Sequence, residues 1–181
     1  MIVCLDSGNT RIKWGVHDGR QWLAQGAVTH AEVAQLGQLL ANWPAPDKVM
    51  LANVAGAEAG GRIREQLAAW LPKFSEVRAE QGRCGVTSLY DIPGQLGVDR
   101  WCALIGARGL GSTAAIVVMA GTATTIDTLD ADGNVLGGMI LPGGDPMRRA
   151  LAVDTAALPF ADGRHADYPR CTDDAIVTGC I

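Results

Sequence analysis

A carboxylate and a short polar turn lie together near the amino terminus. The apolar run 2–5 leads into a carboxylate, a turn glycine, an amide, a hydroxyl and an amine: Asp6, Gly8, Asn9, Thr10 and Lys13. Backbone N–H groups in a tight turn form a concave site for anions, and a neighbouring carboxylate can hold Mg²⁺ against phosphate oxygens. The stretch therefore indicates a phosphate site. An isolated Gly-Asn-Thr turn is more often an ordinary hairpin connector, so the interpretation depends on the rest of the chain.

The same order of elements occurs again in the second half of the chain. Residues 2–28 predict a strand, a small polar turn, a strand, an Asp-Gly turn and a third strand, and residues 115–141 repeat that order. Two unrelated hairpins are the alternative, but two copies of one element facing each other explain the repeat better. Two hydroxyl-rich turns across a cleft suit a nucleoside triphosphate, since each can hold a different phosphate. The polar turn of the second copy contains Gly121, Thr122, Thr124 and Thr125.

Composition excludes several classes of protein. The 181 residues are 48% apolar with a net charge of −4, and no basic stripe favours nucleic acid as a partner. The five cysteines are odd in number and contain no C-x-x-C pair, which argues against a disulfide framework or a zinc knuckle. The longest apolar run, 114–120, is too short for a membrane span of about 20 residues, and no signal peptide is evident. We expect a soluble, cytoplasmic protein with no nucleic-acid or membrane partner.

Between the two copies, apolar periodicity alternates between helix and strand, which is typical of an α/β protein. Helices are predicted over 31–43, 62–71, 100–108 and from about 146 to 153, and strands over 48–54 and 74–79. Residues 82–97 are expected to form a loop with short strand pieces.

Four motifs, in chain order, resemble the type III pantothenate kinases. They are Asp6-x-Gly8-Asn9-Thr10-x-x-Lys13, Leu96-Gly97-x-Asp99-Arg100, Gly121-Thr122-Ala123-Thr124-Thr125-x-Asp127 and Gly137-Gly138-x-Ile140-x-Pro142-Gly143. Tyr90 and Thr172 also fit that family's pattern. The duplicated turns are similar to those of the actin, hexokinase and Hsp70 ATPase superfamily. The resemblance implies a duplicated ribonuclease-H-like fold with mixed sheets flanked by helices, its halves spanning 1–95 and 96–181.

The resemblance also implies a reaction, the ATP-dependent phosphorylation of pantothenate to 4'-phosphopantothenate, which is the first step of coenzyme A biosynthesis. Asp99 would be the general base for the pantothenate hydroxyl, although a helix N-terminal carboxylate is the plainer reading of Asp99 alone. Asp6 would hold Mg²⁺ beside the ATP phosphates, and Arg100 would bind the substrate carboxylate or a transferring phosphate. Asp127 would lie near a monovalent cation, K⁺ or NH₄⁺.

Further substrate contacts follow from the same resemblance. Gly97 and Val98 adjoin Asp99 in the second motif, Tyr90 precedes them, and Thr172 would reach pantothenate across the interface of a homodimer. Two of the site residues have plainer interpretations, since Lys13 fits a solvated strand position and Tyr90 fits a half-buried packing residue.

Two rival functions remain open at this point. One is another phosphotransferase or a phosphatase of the same superfamily, and the other is a non-catalytic accessory protein of transcriptional regulation. Three retained carboxylates, Asp6, Asp99 and Asp127, argue against a purely binding protein. Members of the resembled family usually continue for several tens of residues beyond the point where this sequence stops. We therefore expect the second half to be incomplete at its end.

Overall fold

Alternating apolar residues build the first sheet. The computed structural model describes residues 1–111 and 113–181. Strands β1 (Ile2–Ser7), β2 (Arg11–His17) and β3 (Trp22–Thr29) form an antiparallel meander, and β4 (Lys48–Asn53) and β5 (Phe74–Glu76) extend it in parallel. The order β3-β2-β1-β4-β5 therefore gives a mixed sheet with β1 at its centre.

Two helices cover one face of this sheet. They are α1 (Ala34–Ala41) and α2 (Ala57–Gln66). A short 3₁₀ segment, His30–Glu32, precedes α1, and another, Ala68–Lys73, follows α2. The period of two along β1 turns Val3 and Leu5 toward the helices, where they pack with Leu36 and Ile63. All four are buried, so the first half has a closed apolar core.

The second sheet repeats the meander with different neighbours. It consists of β6 (Gly82–Arg83), β7 (Val86–Ser88), β8 (Ala115–Ala120), β9 (Ala123–Leu129) and β10 (Asn134–Pro142), in the order β6-β7-β10-β9-β8. The β7–β10 pair is parallel and the others are antiparallel, so this sheet is also mixed.

Helix α3 (Val98–Leu110) joins the halves, because it contacts β4 of the first sheet and β7, β8 and β9 of the second. Its Trp101 and Leu104 are buried in the core of the second sheet. Helices α4 (Gly144–Asp154) and α5 (Thr172–Gly179) follow and pack on each other through a small third cluster that contains Ile176 and Val177. None of the helices in the described part of the chain has the length and apolarity to cross a bilayer.

The predicted α/β class and the repeated meander are confirmed by this architecture. Several predicted boundaries were wrong, including the following two. The second polar turn, predicted to reach Thr125, contains only Gly121 and Thr122, because Thr124 already pairs with Ala120 across β8 and β9. The helix predicted over 62–71 begins at Ala57 and leaves α-helical geometry after Gln66.

The division of the chain at residues 95 and 96 stays a prediction. Strands β6 and β7 precede that point in sequence, yet they hydrogen-bond into the second sheet through β10.

Candidate active site

The first hairpin presents Asp6 and a closed polar turn. Asp6 lies near the end of β1 and pairs in register with Lys13 of β2, whose Nζ is 3.5 Å from Asp6 Oδ2. The turn is closed by the Gly8 N–H, which donates to the Arg11 carbonyl at 3.1 Å. His30 Nε2 donates to the Gly8 carbonyl at 2.7 Å, since a carbonyl can only accept. The turn is thus fixed from both sides, with its polar tip exposed.

The second hairpin brings its own turn against the first. The hydroxyl oxygens of Thr10 and Thr122 are 2.6 Å apart and form a hydrogen bond between the two turns. The Gly143 N–H donates to the Thr122 carbonyl at 3.0 Å, which ties the end of β10 to the same turn. A Cβ at position 143 would lie 2.1 Å from the Gly121 carbonyl oxygen, so only glycine fits this approach.

These turns form the walls of a cleft of about 340 Å³. Most of the residues that the sequence assigned to phosphate, metal and catalysis line it together: Asp6, Gly8, Asn9, Thr10, Lys13, Asp99, Gly121, Thr122 and Thr125. They come from both sheets and from α3, so the cleft lies between the two halves, as the repeat predicted.

Thr125 has an unusual environment within this cleft. Its side chain is 7% exposed, and its Oγ1 has no hydrogen-bond partner among the described residues. Buried hydroxyls are normally paired, so an unpartnered one at the wall of a polar cleft points to a ligand atom.

Asp99 enters the cleft from the amino-terminal turn of α3. Gly97 is the N-cap, and Asp99 Oδ1 accepts the backbone N–H of Arg100 at 2.8 Å. A Cβ at position 97 would lie 2.7 Å from that oxygen, so glycine leaves room for the carboxylate to bend back over the turn. The positive end of the helix dipole favours a charged carboxylate at this place.

Cys102 lies one turn further along α3, and the pKa of its thiol reflects the two acidic side chains nearby. Burial above all, together with the negative charges of Asp6 and Asp99, raises the pKa of its thiol to about 11. Both carboxylates therefore act on the same part of α3, although they come from different halves.

Arg100, Asp127 and Tyr90 are brought together beneath the cleft rather than within its lining. Arg100 is 4% and Asp127 1% exposed. Arg100 Nε donates to Asp127 Oδ2 at 3.0 Å, and its Nη2 donates to Asp127 Oδ1 at 2.5 Å and to the Tyr90 hydroxyl at 2.9 Å. These bonds, that to Asp127 above all, raise the pKa of Arg100, which keeps its guanidinium group charged. A Cβ at Gly138 would lie 2.1 Å from Asp127 Oδ1, so β10 must have glycine beside the pair.

Two predicted site residues lie elsewhere. Thr124 precedes Thr125 in β9, so its side chain lies on the opposite face of the sheet, and it is not part of the cleft wall. Thr172 is the first residue of α5 and is exposed. Its predicted contact across a dimer stays a prediction, as do the substrate contacts of Gly97 and Val98.

A larger cavity of about 1020 Å³ adjoins the two turns. Its second wall is α4, whose first turn contributes Gly144, Asp145 and Pro146, and whose next turn contributes Arg149. Sequence reasoning missed Arg149, which could have been recognised because it lies four residues after Asp145 on one helix face.

The donor set fits a magnesium–nucleotide ligand and does not fit a monovalent cation. Mg²⁺ keeps several waters and is usually held by one or two carboxylates plus substrate phosphates, and Asp6 provides one carboxylate in the cleft. Asp127, the expected ligand of a monovalent cation, already has both oxygens bonded to Arg100. Within residues 1–111 and 113–181, no cluster of three or more His, Cys, Asp or Glu side chains is arranged to hold a metal ion by itself.

Comparison with solved structures supports the fold. A Baf family transcriptional activator from Campylobacter jejuni matches with a TM-score of 0.60 at 20% identity, over 98% of this chain and 72% of that one. A 2-dehydro-3-deoxygalactonokinase from Sinorhizobium meliloti matches with a TM-score of 0.53 at 18% identity, over 86% of this chain and 57% of the other. At such identities these likenesses establish the fold alone.

Comparison with sequences establishes the family. The family model of type III pantothenate kinase matches residues 2–181. A type III pantothenate kinase from Dechloromonas aromatica is 75% identical over the whole chain, which covers 76% of that protein. One from Aromatoleum aromaticum is 54% identical over 99% of the chain, which covers 74% of its length. With the four motifs in order and the two turns facing one cleft, the chain belongs to the type III pantothenate kinase family.

Proposed function

We propose that this chain transfers the γ-phosphoryl group of ATP to the primary hydroxyl of pantothenate, forming 4'-phosphopantothenate and ADP in coenzyme A biosynthesis. The observation that carries the proposal is the cleft itself. Two hydroxyl-bearing turns and two carboxylates, Asp6 and Asp99, line one cavity between the halves of the fold. Phosphoryl transfer needs alignment and charge neutralisation more than covalent assistance, and such a cleft provides both.

Asp99 is assigned the role of general base. Oδ2 accepts no hydrogen bond from the residues that the structure describes, whereas Oδ1 is fixed by the Arg100 backbone N–H. The free oxygen accepts the proton of the pantothenate hydroxyl as that oxygen bonds to the γ-phosphorus and the bond to the ADP oxygen breaks. The fixed oxygen keeps the carboxylate oriented during this step.

The two turns are assigned to the phosphates. Backbone N–H groups near Asn9 and Thr122, and the unpartnered Thr125 hydroxyl, are suitable donors. Asp6 would hold Mg²⁺, which neutralises charge on the phosphate oxygens when bound. Lys13 lies at the same edge of the cleft, where its ammonium group pairs with Asp6 and can approach a phosphate.

Several finer assignments belong to the same proposal. Tyr90, Gly97, Val98 and Arg100 are placed on the pantothenate side because they surround Asp99 in sequence and in the fold. We place Thr172 at the site of a neighbouring subunit in a homodimer. The enzyme is assigned to the cytoplasm, in keeping with five cysteines that are all free in the described residues.

The test is ADP formation from MgATP with and without pantothenate, with the product identified by mass spectrometry. We expect pantothenate-dependent ADP and an equimolar amount of 4'-phosphopantothenate. Pantothenate-independent hydrolysis, or phosphorylation of a different alcohol at a higher rate, would favour another phosphotransferase of this fold. A folded protein that binds MgATP but produces no ADP would favour the non-catalytic accessory role.

A further inference from the structure

The two hairpins can be aligned by the hydrogen bonds that close their turns. In each, a glycine N–H donates at 3.1 Å to a carbonyl at the start of the returning strand, Gly8 in the first copy and Gly121 in the second. Counting back two residues from these glycines places Asp6 opposite Met119. Both side chains are partly buried, and both line the cleft. The first copy therefore presents a carboxylate at this position and the second presents a thioether.

This difference decides what the second copy can bind. K⁺, NH₄⁺ and Mg²⁺ take oxygen ligands, and a carboxylate adds a favourable charge, whereas a thioether sulfur is soft and only a weak acceptor. Met119 therefore contributes no charge and no suitable donor to the wall that faces Asp6.

Asp127 does not replace the missing carboxylate. It is 1% exposed, and its two oxygens accept from Arg100 at 3.0 and 2.5 Å. The pair is neutral as a whole, and a cation placed on Asp127 would lie beside the guanidinium group and be repelled by it. The cleft-wall residues contributed by β8, β9 and the turn between them include no acidic side chain: Met119, Ala120, Gly121, Thr122, Ala123 and Thr125.

We propose that phosphoryl transfer by this chain does not depend on a monovalent cation, because Met119 stands where the first hairpin has its carboxylate and Arg100 neutralises Asp127. The inference rests on the proposed kinase function and corrects the expectation of a K⁺ or NH₄⁺ site at Asp127. Asp127 acts instead as the partner that holds Arg100 in place beneath the cleft.

The first test compares pantothenate-dependent ADP formation in KCl, NH₄Cl and tetramethylammonium chloride at equal ionic strength. We expect rates that agree within about twofold, whereas activation of about tenfold or more by K⁺ or NH₄⁺ overturns the inference. Absence of ADP in every salt would refute the proposed function but would leave this inference open. A measurement of cation binding then decides the inference.

That binding measurement is the Tm of the unsubstituted chain as KCl replaces tetramethylammonium chloride. A ligand that binds only the folded state raises Tm, so we expect no saturable rise, and a saturable rise contradicts the proposal.

A gain of cation binding provides the complementary test. Met119→Asp restores the carboxylate that the repeat lacks, and Met119→Asn is the matched control because it has a similar shape without the charge. We expect Tm to rise with KCl for Met119→Asp and not for Met119→Asn. Equal behaviour of two folded variants overturns the assignment to Met119. If Met119→Asp does not fold, the two measurements on the unsubstituted chain decide.

Discussion

The carboxylate of Asp99 can be separated from the fold by a single substitution. Its Oδ1 accepts the Arg100 backbone N–H at 2.8 Å, and asparagine retains an oxygen that can accept this bond. Asparagine cannot take a proton from the substrate hydroxyl. We therefore expect Asp99→Asn to lower kcat by about 10²-fold or more, the range for loss of a general base, with little change in Tm.

Steady-state kinetics and a thermal melt measure both parts of that prediction. Asp167→Asn is a suitable control, since Asp167 is exposed and the same charge is removed away from the cleft. A kcat for Asp99→Asn close to that of the control would contradict the assignment of Asp99 as base.

Cys102 offers a test of the electrostatics around the two carboxylates. Because burial and the charges of Asp6 and Asp99 raise its pKa to about 11, the thiol stays protonated at neutral pH. At pH 8 the reactive thiolate is roughly one part in a thousand, and it rises tenfold with each further pH unit below the pKa. We expect iodoacetamide to label exposed Cys84 and Cys171 well before Cys102, as measured by peptide mass spectrometry. Labelling of Cys102 as fast as these two would contradict the raised pKa.

The sequence motifs predicted which residues line the cleft better than they predicted which side chains bond to each other. Asp6, Thr10, Asp99 and Thr122 were recognised from motifs and do line one cavity. The bond between Arg100 and Asp127 could not be read from motifs, because the two are 27 residues apart and meet only through the packing of α3 on β9. The spacing of residues within a motif carries no information about contacts between residues that are distant in the sequence.

At the scale of elements, the ion pair of Arg100 and Asp127 restricts which residue β10 can have at position 138. A Cβ on Gly138 would lie 2.1 Å from Asp127 Oδ1 and 2.6 Å from Arg100 Nη2. We expect Gly138→Ala to destabilise the fold by about 1–3 kcal/mol, because a buried ion pair cannot shift without losing its bonds. Urea unfolding measures the free energy of unfolding.

Gly106→Ala in α3 is the matched control, since a Cβ there meets nothing within 4 Å. Alanine is the better helix former, so this variant should gain about 0.5–1 kcal/mol. If Gly138→Ala is as stable as the unsubstituted chain, the glycine is not required by the Arg100–Asp127 pair.

Element boundaries show where local patterns fail. The strands of both meanders and the Asp-Gly turns at Gly19 and Gly133 follow from alternation and turn chemistry, and both glycines have positive φ. Thr124 and Thr125 look like turn residues by composition, yet they enter β9 because cross-strand pairing with β8 extends to that point. Helix α2 begins earlier than its apolar pattern indicates, with Gly56 at φ 92° as its N-cap.

For the whole molecule, the repeat places two hairpins of similar residue pattern in different surroundings. In β1, Val3 and Leu5 are 0% and 3% exposed beneath α1 and α2. The matching residues of β8, Ile116 and Val118, are 70% and 58% exposed, and β8 is an edge strand in the described part of the chain. The same pattern of residues therefore predicts a strand in both halves but not its burial, which depends on elements distant in sequence.

What the two halves share is the contact between their turns, and a bound nucleotide should depend on both. Thr122 is exposed, and its hydroxyl bonds to that of Thr10 at 2.6 Å across the cleft. We expect Thr122→Val to weaken MgATP binding by about tenfold, because a hydroxyl that can donate to a charged phosphate is lost. The stability of the unliganded chain should change by less than about 1 kcal/mol, since an exposed hydrogen bond contributes little.

Thr128→Val provides the control, because Thr128 lies in β9, the strand that follows the turn of Thr122, and is exposed on the outer face of that strand. Calorimetric titration gives the affinity, and the rise in Tm with MgATP gives an independent measure, since a ligand that binds only the folded state stabilises it. If the phosphates are held by both turns, Thr122→Val should lose part of that rise while Thr128→Val keeps all of it. Equal shifts in the two variants would mean that the nucleotide is held by the first half alone, and the facing turns would then serve to close the fold rather than to bind phosphate.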